Sequence, residues 1–349
     1  MSEEHTALVQ APGRHRGAGA TAVAHPNIAL IKYWGKRDEE LVVPRTDSLS
    51  MTLDILPTTT RVRVDATARR DEVTLGGVPA TGEALHRIVA FLDLVRDVAR
   101  MPQRAVVDSE NTVPTGAGLA SSASGFAALA AAAAAAYGLD PDPTALSRLA
   151  RRGSGSAARS VFGGFAVWYA GSGADPAAAD AASYAEPVPA GDLDPALVVA
   201  VVDAGPKALS SRVAMRRTVN TSPLYGPWAD SSGDDLTAMR AALLRADLEA
   251  VGEIAERNAL GMHATMLAAR PAVRYLAPAT LQVLDSVLQL RREAVAAYAT
   301  MDAGPNVKVL CRRADAQRVA AVVRDAAAGT VVHIARPGPG AHLLPAEGR

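Results

Sequence analysis

The chain has 349 residues, 49% of them apolar, and its 36 basic and 36 acidic side chains cancel. Length and apolar share suffice for a large core in one or two domains, while zero net charge leaves no net field to hold a polyanion such as nucleic acid, which usually needs a basic stripe. The longest apolar run, Ala123 to Tyr137, is mostly alanine, and its length of about 15 residues falls short of the roughly 20 needed to span a membrane.

Residues 1–20 contain no apolar stretch resembling a signal peptide and are Gly/Pro-rich and aperiodic, so a flexible tail and a cytoplasmic location are expected. Next, "TTTRVRVDA" alternates like a half-buried strand, "EALHRIVAFLDLVRDVA" carries helical spacing, and "RAVVDSEN" predicts another strand. The alanine run predicts a buried helix. "DPTALSRLARRG" opens on Asp-Pro and closes on Gly153, as a helix does, and "GGFAVWYAG" predicts a strand. The polar, alanine-rich stretch Ser172 to Pro195 is expected to connect two domains, 21–195 and 196–336. In the second, "ALVVAVVDAG" is a buried strand and helices occupy about 233–270 and 278–294. Strands "AVAAYATMD" and "VKVLCRR", helix "ADAQRVAAVVRDAA" and strand "TVVHIAR" follow. The Gly/Pro-rich end, 337–349, is expected to be mobile. The tetrapeptide "DAGP" occurs twice, at Asp203 and Asp302.

Only four cations are lysine, Lys32, Lys36, Lys207 and Lys308, against 32 arginines. In a chain so biased, a lysine points to a place needing a compact ammonium rather than a planar fork; Lys308 is the one most open to chance. Cys311, the single cysteine, lies in a strand and is expected to pack rather than react.

The sharpest local signal is "NTVPTGAGLASSASGFAALAAAAAAAYG": a strand exit, a glycine-rich turn, paired serines and a strong helix former. Such a turn presents backbone N–H groups and a helix N-terminus to phosphate oxygens, and Ser121 and Ser122 add hydroxyls for phosphate or magnesium. ATP is the natural ligand. No lysine follows the glycines, which excludes a Walker A loop. A Rossmann fingerprint would want glycine at Ser121 and a strand before Asp140, where helix runs into helix.

"PTGAGLASSASG" resembles the phosphate loop of the GHMP kinase superfamily. "AHPNIALIKYWGKRDEELVVPRTDSLSMTLD", "RRGSGSAARSVFGGFAVW", "KALSSRVAMRRTVNTS" and "MDAGPNVKVL" are together similar to the diphosphomevalonate decarboxylase family, in the family's order from Ala24 to Leu310. The resemblance implies an α+β GHMP kinase fold: an N-terminal domain like ribosomal protein S5 domain 2, a C-terminal ferredoxin-like domain, and the active site in the cleft between. It also implies a cytoplasmic homodimer on the mevalonate route to isoprenoids. The implied activity is ATP-dependent, magnesium-assisted conversion of mevalonate 5-diphosphate to isopentenyl diphosphate, ADP, phosphate and carbon dioxide through phosphorylation of the tertiary 3-hydroxyl.

Carried over by resemblance, Asp302 holds that hydroxyl, Arg159 orients the departing carboxylate through its planar fork, and Lys32 completes the catalytic group. Asn27, Tyr33, Lys36, Ser154, Ser156, Ser210 and Ser211 bind the organic substrate. Pro114, Gly116, Gly118, Leu119, Ala120, Ser121 and Ser122 cradle ATP, with magnesium on Ser122, and Lys207 meets the nucleotide phosphates. Arg151 and Arg152 are expected to face solvent, and Asp203 to form a turn. Asp47, in "PRTDSLSMT", departs from the small neutral residues expected there, and an anion near the substrate's phosphates would repel it. Competing readings are a kinase that stops at phosphorylation, a decarboxylase of mevalonate 5-phosphate, and a binding protein without activity; Asp302 together with Arg159 argues for decarboxylation.

Overall fold

The structure, a computed structural model, describes residues 19–112, 121–173, 175–205 and 208–345, apart from the side chain of Ser121. The first half runs through β1 (Ala20–Ala24), β2 (Asn27–Ile31), β3 (Lys36–Asp38), β4 (Val43–Pro44), β5 (Ser48–Thr52), β6 (Thr58–Asp65), β7 (Glu72–Leu75) and β8 (Val78–Pro79). Then come α1 (Gly82–Ala99), β9 (Arg104–Asn111), α2 (Ser121–Ala136), α3 (Pro143–Gly153), α4 (Ala157–Ser160), β10 (Phe165–Trp168), α5 (Pro176–Ala182) and β11 (Ala185–Val188). The second half holds β12 (Pro195–Val201), α6 (Ser211–Thr221), α7 (Tyr225–Leu244), α8 (Leu248–Leu267), α9 (Pro278–Arg292), β13 (Ala297–Met301), β14 (Val307–Arg312), α10 (Ala316–Ala326), β15 (Val331–Ala335) and β16 (His342–Leu343).

Local chemistry explains several of these elements. In β6, Val62 turns inward while Arg61 and Arg63 face water, the alternation of a half-buried strand. Asp142 caps α3 by accepting from Ala145 N, with Pro143 in the first turn. Ten of the sixteen residues of helix α2 are alanine, and beyond its first turn the helix is largely buried. Alanine is the best helix former, and its small side chain lets α2 press against β1 and β6 on one side and α3 and α4 on the other.

Strands order as β16-β1-β6-β9-β7-β8 and β11-β10-β5-β2 in the first half and as β13-β14-β12-β15 in the second. The last sheet is antiparallel throughout, and its βαββαβ connectivity is ferredoxin-like, with α6 to α9 all inserted at the first crossover. Strand β12 is buried on both faces. Leu197, Val199 and Val201 join a core with Ile28, Leu49 and Met51 of the first half, whereas Ala196, Val198 and Ala200 pack with α9 and α10. A shared apolar core therefore clamps the halves together, and that fixes the cleft between them.

Two expectations need correction. Much of the stretch Ser172 to Pro195 belongs to the first half: β11 pairs with β10, and Asp180 of α5 binds Arg148 and Arg151. Composition hid this because β11 is short and half-buried, and only 189–194 is left to connect the halves. The end of the chain is not a loose tail as far as residue 345 either. Strand β16 adds to β1, Gly338 N donates to Thr52 O at 2.8 Å, and Ala341 N donates to Ser160 O at 3.1 Å. Its glycines serve close approach: a Cβ on Gly338 would stand 2.1 Å from Leu53 O, and one on Gly340 2.4 Å from Val161 O.

Gly338→Ala should therefore destabilise the protein by about 1–3 kcal/mol through overpacking. Gly233→Ala in α7, where an added Cβ meets nothing within 4 Å, should be neutral or stabilising. Urea unfolding of the two variants checks this; equal midpoints would mean that the strand is only loosely laid on the sheet.

Candidate active site

A cavity of about 890 Å³ opens between the halves. Its wall brings together Asn27, Lys32, Tyr33, Lys36, Ser122, Ser154, Ser156, Arg159, Ser210, Ser211 and Asp302, which are all the described side chains that the resemblance assigned to the site. Pro114, Gly116, Gly118, Leu119, Ala120, Lys207 and the side chain of Ser121 lie outside the described residues.

Asp302 follows β13 at the turn into β14. Its Oδ1 accepts from Lys32 Nζ at 2.8 Å and its Oδ2 from Lys308 Nζ at 3.1 Å. Both lysines are buried, at 1% and 2% side-chain exposure, while Asp302 keeps 30%. Lys32 Nζ also donates to Ala29 O at 2.8 Å, and its backbone N–H donates to Asn258 Oδ1 at 2.9 Å, tying the exit of β2 to α8. His263 Nε2, also on α8, lies 3.2 Å from the Asp302 carbonyl. Asn306 Oδ1 accepts from Val202 N and Asp203 N, which joins the two "DAGP" turns. As expected, Asp203 itself is exposed and accepts from Gly205 N at 2.7 Å, a turn former.

Arg159 is 2% exposed, and its fork rests on neutral oxygens: Nε donates to Ser50 Oγ at 2.9 Å, Nη1 to Ser48 Oγ at 2.6 Å and Nη2 to Asn27 Oδ1 at 3.3 Å. Asn27 in turn donates to Ser156 O and Ser160 Oγ. Among the described residues no carboxylate lies within ion-pair reach of Arg159. Ser154 and Ser156 do not share a helix with it, because α3 ends at Gly153 and a turn precedes α4.

These contacts set the charges. Burial pushes the Lys32 ammonium down to about 8, partly opposed by Asp302. Burial alone would raise the Asp302 carboxyl, but Lys32 and Lys308 outweigh it and hold the group well below the usual carboxylate range. Burial likewise lowers Arg159 to about 10 and raises the Tyr33 phenol, and burial with Lys32 nearby lowers His263 to about 4. At neutral pH the centre thus carries an ionised carboxylate, buried cations and a neutral imidazole, an arrangement that attracts an anion.

Lys36, Tyr33, Ser210, Ser211, Arg212 and Glu39 form another part of the wall. Lys36 is held at 2.6 Å by Glu39. The turn before it needs Gly35, at φ 116°, because Tyr225 packs so closely that its hydroxyl would lie 2.0 Å from an added Cβ. Leu75, Ile88, Val107, Phe126 and Leu129 give an apolar section suited to a flat base, with Ser122 exposed at the first turn of α2.

Some expectations fail here. Arg151 is fully buried, donating to Leu41 O at 2.8 Å and pairing with Asp180, and Arg152 is only 21% exposed and lines the cavity. Their predicted solvent exposure overlooked α5, whose carboxylate recruits them. Asp47 does not line the cavity; it accepts from Ala170 N at 2.6 Å and so presents no anion to a ligand there. Sequence reasoning flagged Lys308 by rarity without giving it a role, and it missed Ser48, Ser50, His263 and Arg212. Hydroxyls two apart on a strand, hence on one face, could have revealed Ser48 and Ser50.

A ferredoxin-like half clamped to an S5-like half, with an anion-attracting cleft between, defines a small-molecule enzyme of the GHMP kinase class. Residues 24–185 match the diphosphomevalonate decarboxylase-like N-terminal domain, and residues 197–335 match the mevalonate 5-diphosphate decarboxylase C-terminal domain. The chain is 36% identical to the diphosphomevalonate decarboxylase of Aspergillus fumigatus, over 87% of this chain and 80% of that one. It is 37% identical to that of Homo sapiens, over 84% and 76%. Its structure resembles the mevalonate diphosphate decarboxylase of Staphylococcus aureus, with TM-score 0.89, 38% identity, and coverage of 94% and 98%. It also resembles a structure described as MDDEF in complex with MVAPP, AMPPCP and magnesium, with TM-score 0.88, 43% identity, and coverage of 94% and 99%. The chain belongs to the diphosphomevalonate decarboxylase family.

Because Lys32 holds Asp302 only while protonated, kcat/KM for the organic substrate should fall along an alkaline limb centred near pH 8, the value set by burial. A flat profile from pH 7 to 9.5 would show that the Lys32 charge is not needed.

Proposed function

We propose that this chain uses ATP to convert mevalonate 5-diphosphate to isopentenyl diphosphate, ADP, phosphate and carbon dioxide, with Asp302, Lys32 and Arg159 at the reacting end of the cavity. The observation that carries this reading is Arg159: a buried guanidinium, cradled by neutral oxygens beside Asp302, that is suited to the carboxylate of the substrate. A strong ion pair would stabilise that carboxylate before its charge flows away, so Arg159 contributes by orientation.

Asp302 accepts a hydrogen bond from the 3-hydroxyl and aligns its oxygen for attack on the γ-phosphorus. Its depressed pKa makes it a poor resting place for the proton, so its part is alignment and charge, and the proton goes to a non-bridging oxygen of the transferred phosphoryl group. Once the hydroxyl is phosphorylated, the C3–O bond breaks and phosphate leaves. The electron pair of the bond to the carboxylate becomes the new C=C bond as carbon dioxide departs. Lys36, Tyr33, Ser210 and Ser211, with Arg212, take the diphosphate, and Glu39 must release Lys36 as it arrives. Ser154 and Ser156, with Asn27, support the substrate between these ends.

Ser122 and the loop Pro114, Gly116, Gly118, Leu119, Ala120 and Ser121, with Lys207, serve ATP in this reading. No group of three or more His, Cys, Asp or Glu among the described residues could hold a metal. That suits magnesium, which keeps its waters and arrives on nucleotide phosphates with few protein ligands, here Ser122. When bound, the ion neutralises the charge of the phosphates. The same reading includes a cytoplasmic homodimer. No described helix is long and apolar enough to cross a membrane, and Leu260 and Leu267, seven apart on α8 and 42% and 46% exposed, offer an apolar stripe to a second copy.

With mevalonate 5-diphosphate, ADP and carbon dioxide should appear in equal amounts; ADP alone would mean a kinase. Asp302→Asn should fold and bind both substrates yet lose turnover by ~10³, about 4 kcal/mol of barrier. Asp203→Asn, in the matching turn, should stay active. Near-normal turnover by the Asp302 variant, or an equal loss by a folded Asp203 variant, would remove Asp302 from its role.

A further inference from the structure

Lys308 is not accounted for by the roles above. Strand β14 is buried along most of its length, with Val307, Val309 and Cys311 in the core of α9 and α10 and Leu310 in the core shared between the halves. By alternation Lys308 shares the face of Leu310, so the pattern asks for an apolar residue there. Its neighbours in register are Val199 and Thr300, and the Thr300 hydroxyl is buried without a hydrogen bond, so the ammonium is not there to satisfy it. A buried ammonium costs several kcal/mol unless it is paired, and its ion-pair partner among the described residues is the catalytic carboxylate.

Charge explains why one lysine is not enough. Asp302 and Lys32 cancel and Arg159 is matched by the substrate carboxylate, whereas the substrate also brings a diphosphate and the reaction sets a phosphoryl group beside them. Resting on the reading above, we propose that Lys308 is a positioning residue for the reaction. Through Oδ2 of Asp302 it fixes the carboxylate and keeps the Lys32–Asp302–Lys308 group one positive charge above neutral, so that the negative charge gathering there in the transition state is offset. Among the described residues, the charged or titratable groups facing this centre are Lys32 after β2, Arg159 of α4, His263 of α8, and Asp302 and Lys308 on either side of the β13–β14 turn.

Lys308→Met keeps the length of the stem and removes the charge, and Lys308→Gln keeps a hydrogen-bond donor without the charge. Both should lower kcat by ~10², with KM for either substrate changed by less than about threefold. Lys308 depresses both Lys32 and Asp302. Its loss should therefore move the whole pH profile of kcat/KM to higher pH, by at least about half a unit. A second readout needs no turnover. With four lysines in the chain, 13Cε-lysine labelling gives four signals, and the Lys32 titration in ligand-free protein should move up by the same amount. If wild-type protein fails to decarboxylate the diphosphate, the functional reading falls while the lysine titration still decides this one. Normal turnover in both variants, a loss of turnover without displacement of the Lys32 titration, or failure of both variants to fold, which would make Lys308 a structural residue, would each overturn the proposal.

Discussion

Asp302 sits where the halves of the chain meet, and its carboxylate is divided between Lys32 at the exit of β2 and Lys308 in β14. Neither half alone assembles this group. An ion pair so deeply buried is worth having only when its geometry is held, and here the holding comes from apolar packing. Leu197, Val199 and Val201 lock β12, the neighbour of β14, against Ile28, Leu49 and Met51 of the first half. Asn258 adds a polar tie by accepting the Lys32 N–H while donating to Asp235 of α7 at 2.9 Å. A shift of the halves by one ångström would stretch the Lys32–Asp302 contact while leaving Lys308 on the carboxylate, so the core that fixes the cleft also sets the charge at its centre.

A comparison between two buried arginines separates structure from function. Arg96 has both nitrogen arms on Asp71, at 2.9 and 3.0 Å, and further contacts to Asp93, so its charge is met within the first half. Arg159 meets two serine hydroxyls and an amide oxygen, which satisfy its geometry but not its charge. Desolvation without a counterion lowers its pKa to about 10, whereas the Arg96 pairing more than offsets burial and raises that group. A cation left in that condition at a cavity wall favours an arriving anion.

Much of this was legible in the sequence, and what escaped has physical reasons. The alternation in β6, the alanine run of α2 and the Asp-Pro start of α3 announce their elements because each depends on local chemistry. The motif residues announce the cleft because their spacing resembles a known family. Gly338 and Gly340 read as mobility, yet they permit backbone to approach backbone, a demand set by strands far away in sequence. Arg151 read as solvent-facing because its partner Asp180 lies on α5, in a stretch that composition assigned to a linker. Asp47 read as an obstacle to substrate because its own use, accepting from Ala170 N, depends on a loop 123 residues away. Each miss concerns a tertiary contact, which local propensity cannot register.

The division of labour between lysine and arginine follows from the same geometry. Lys32 must fit an ammonium between the Ala29 carbonyl and one carboxylate oxygen, each at 2.8 Å, in a site with 1% exposure. A guanidinium is a flat plate with five N–H groups, and such a niche would leave several of them buried and unmet. Arg159 has the opposite situation: three acceptors on two strands already engage its fork, and a lysine could not reach them all from one point. Arginine predominates elsewhere in this chain because surface and network positions accept either cation. Lys32 and Lys308 persist where a compact charge must share a single carboxylate, and that requirement makes the rarity of lysine informative about the chemistry of the cleft.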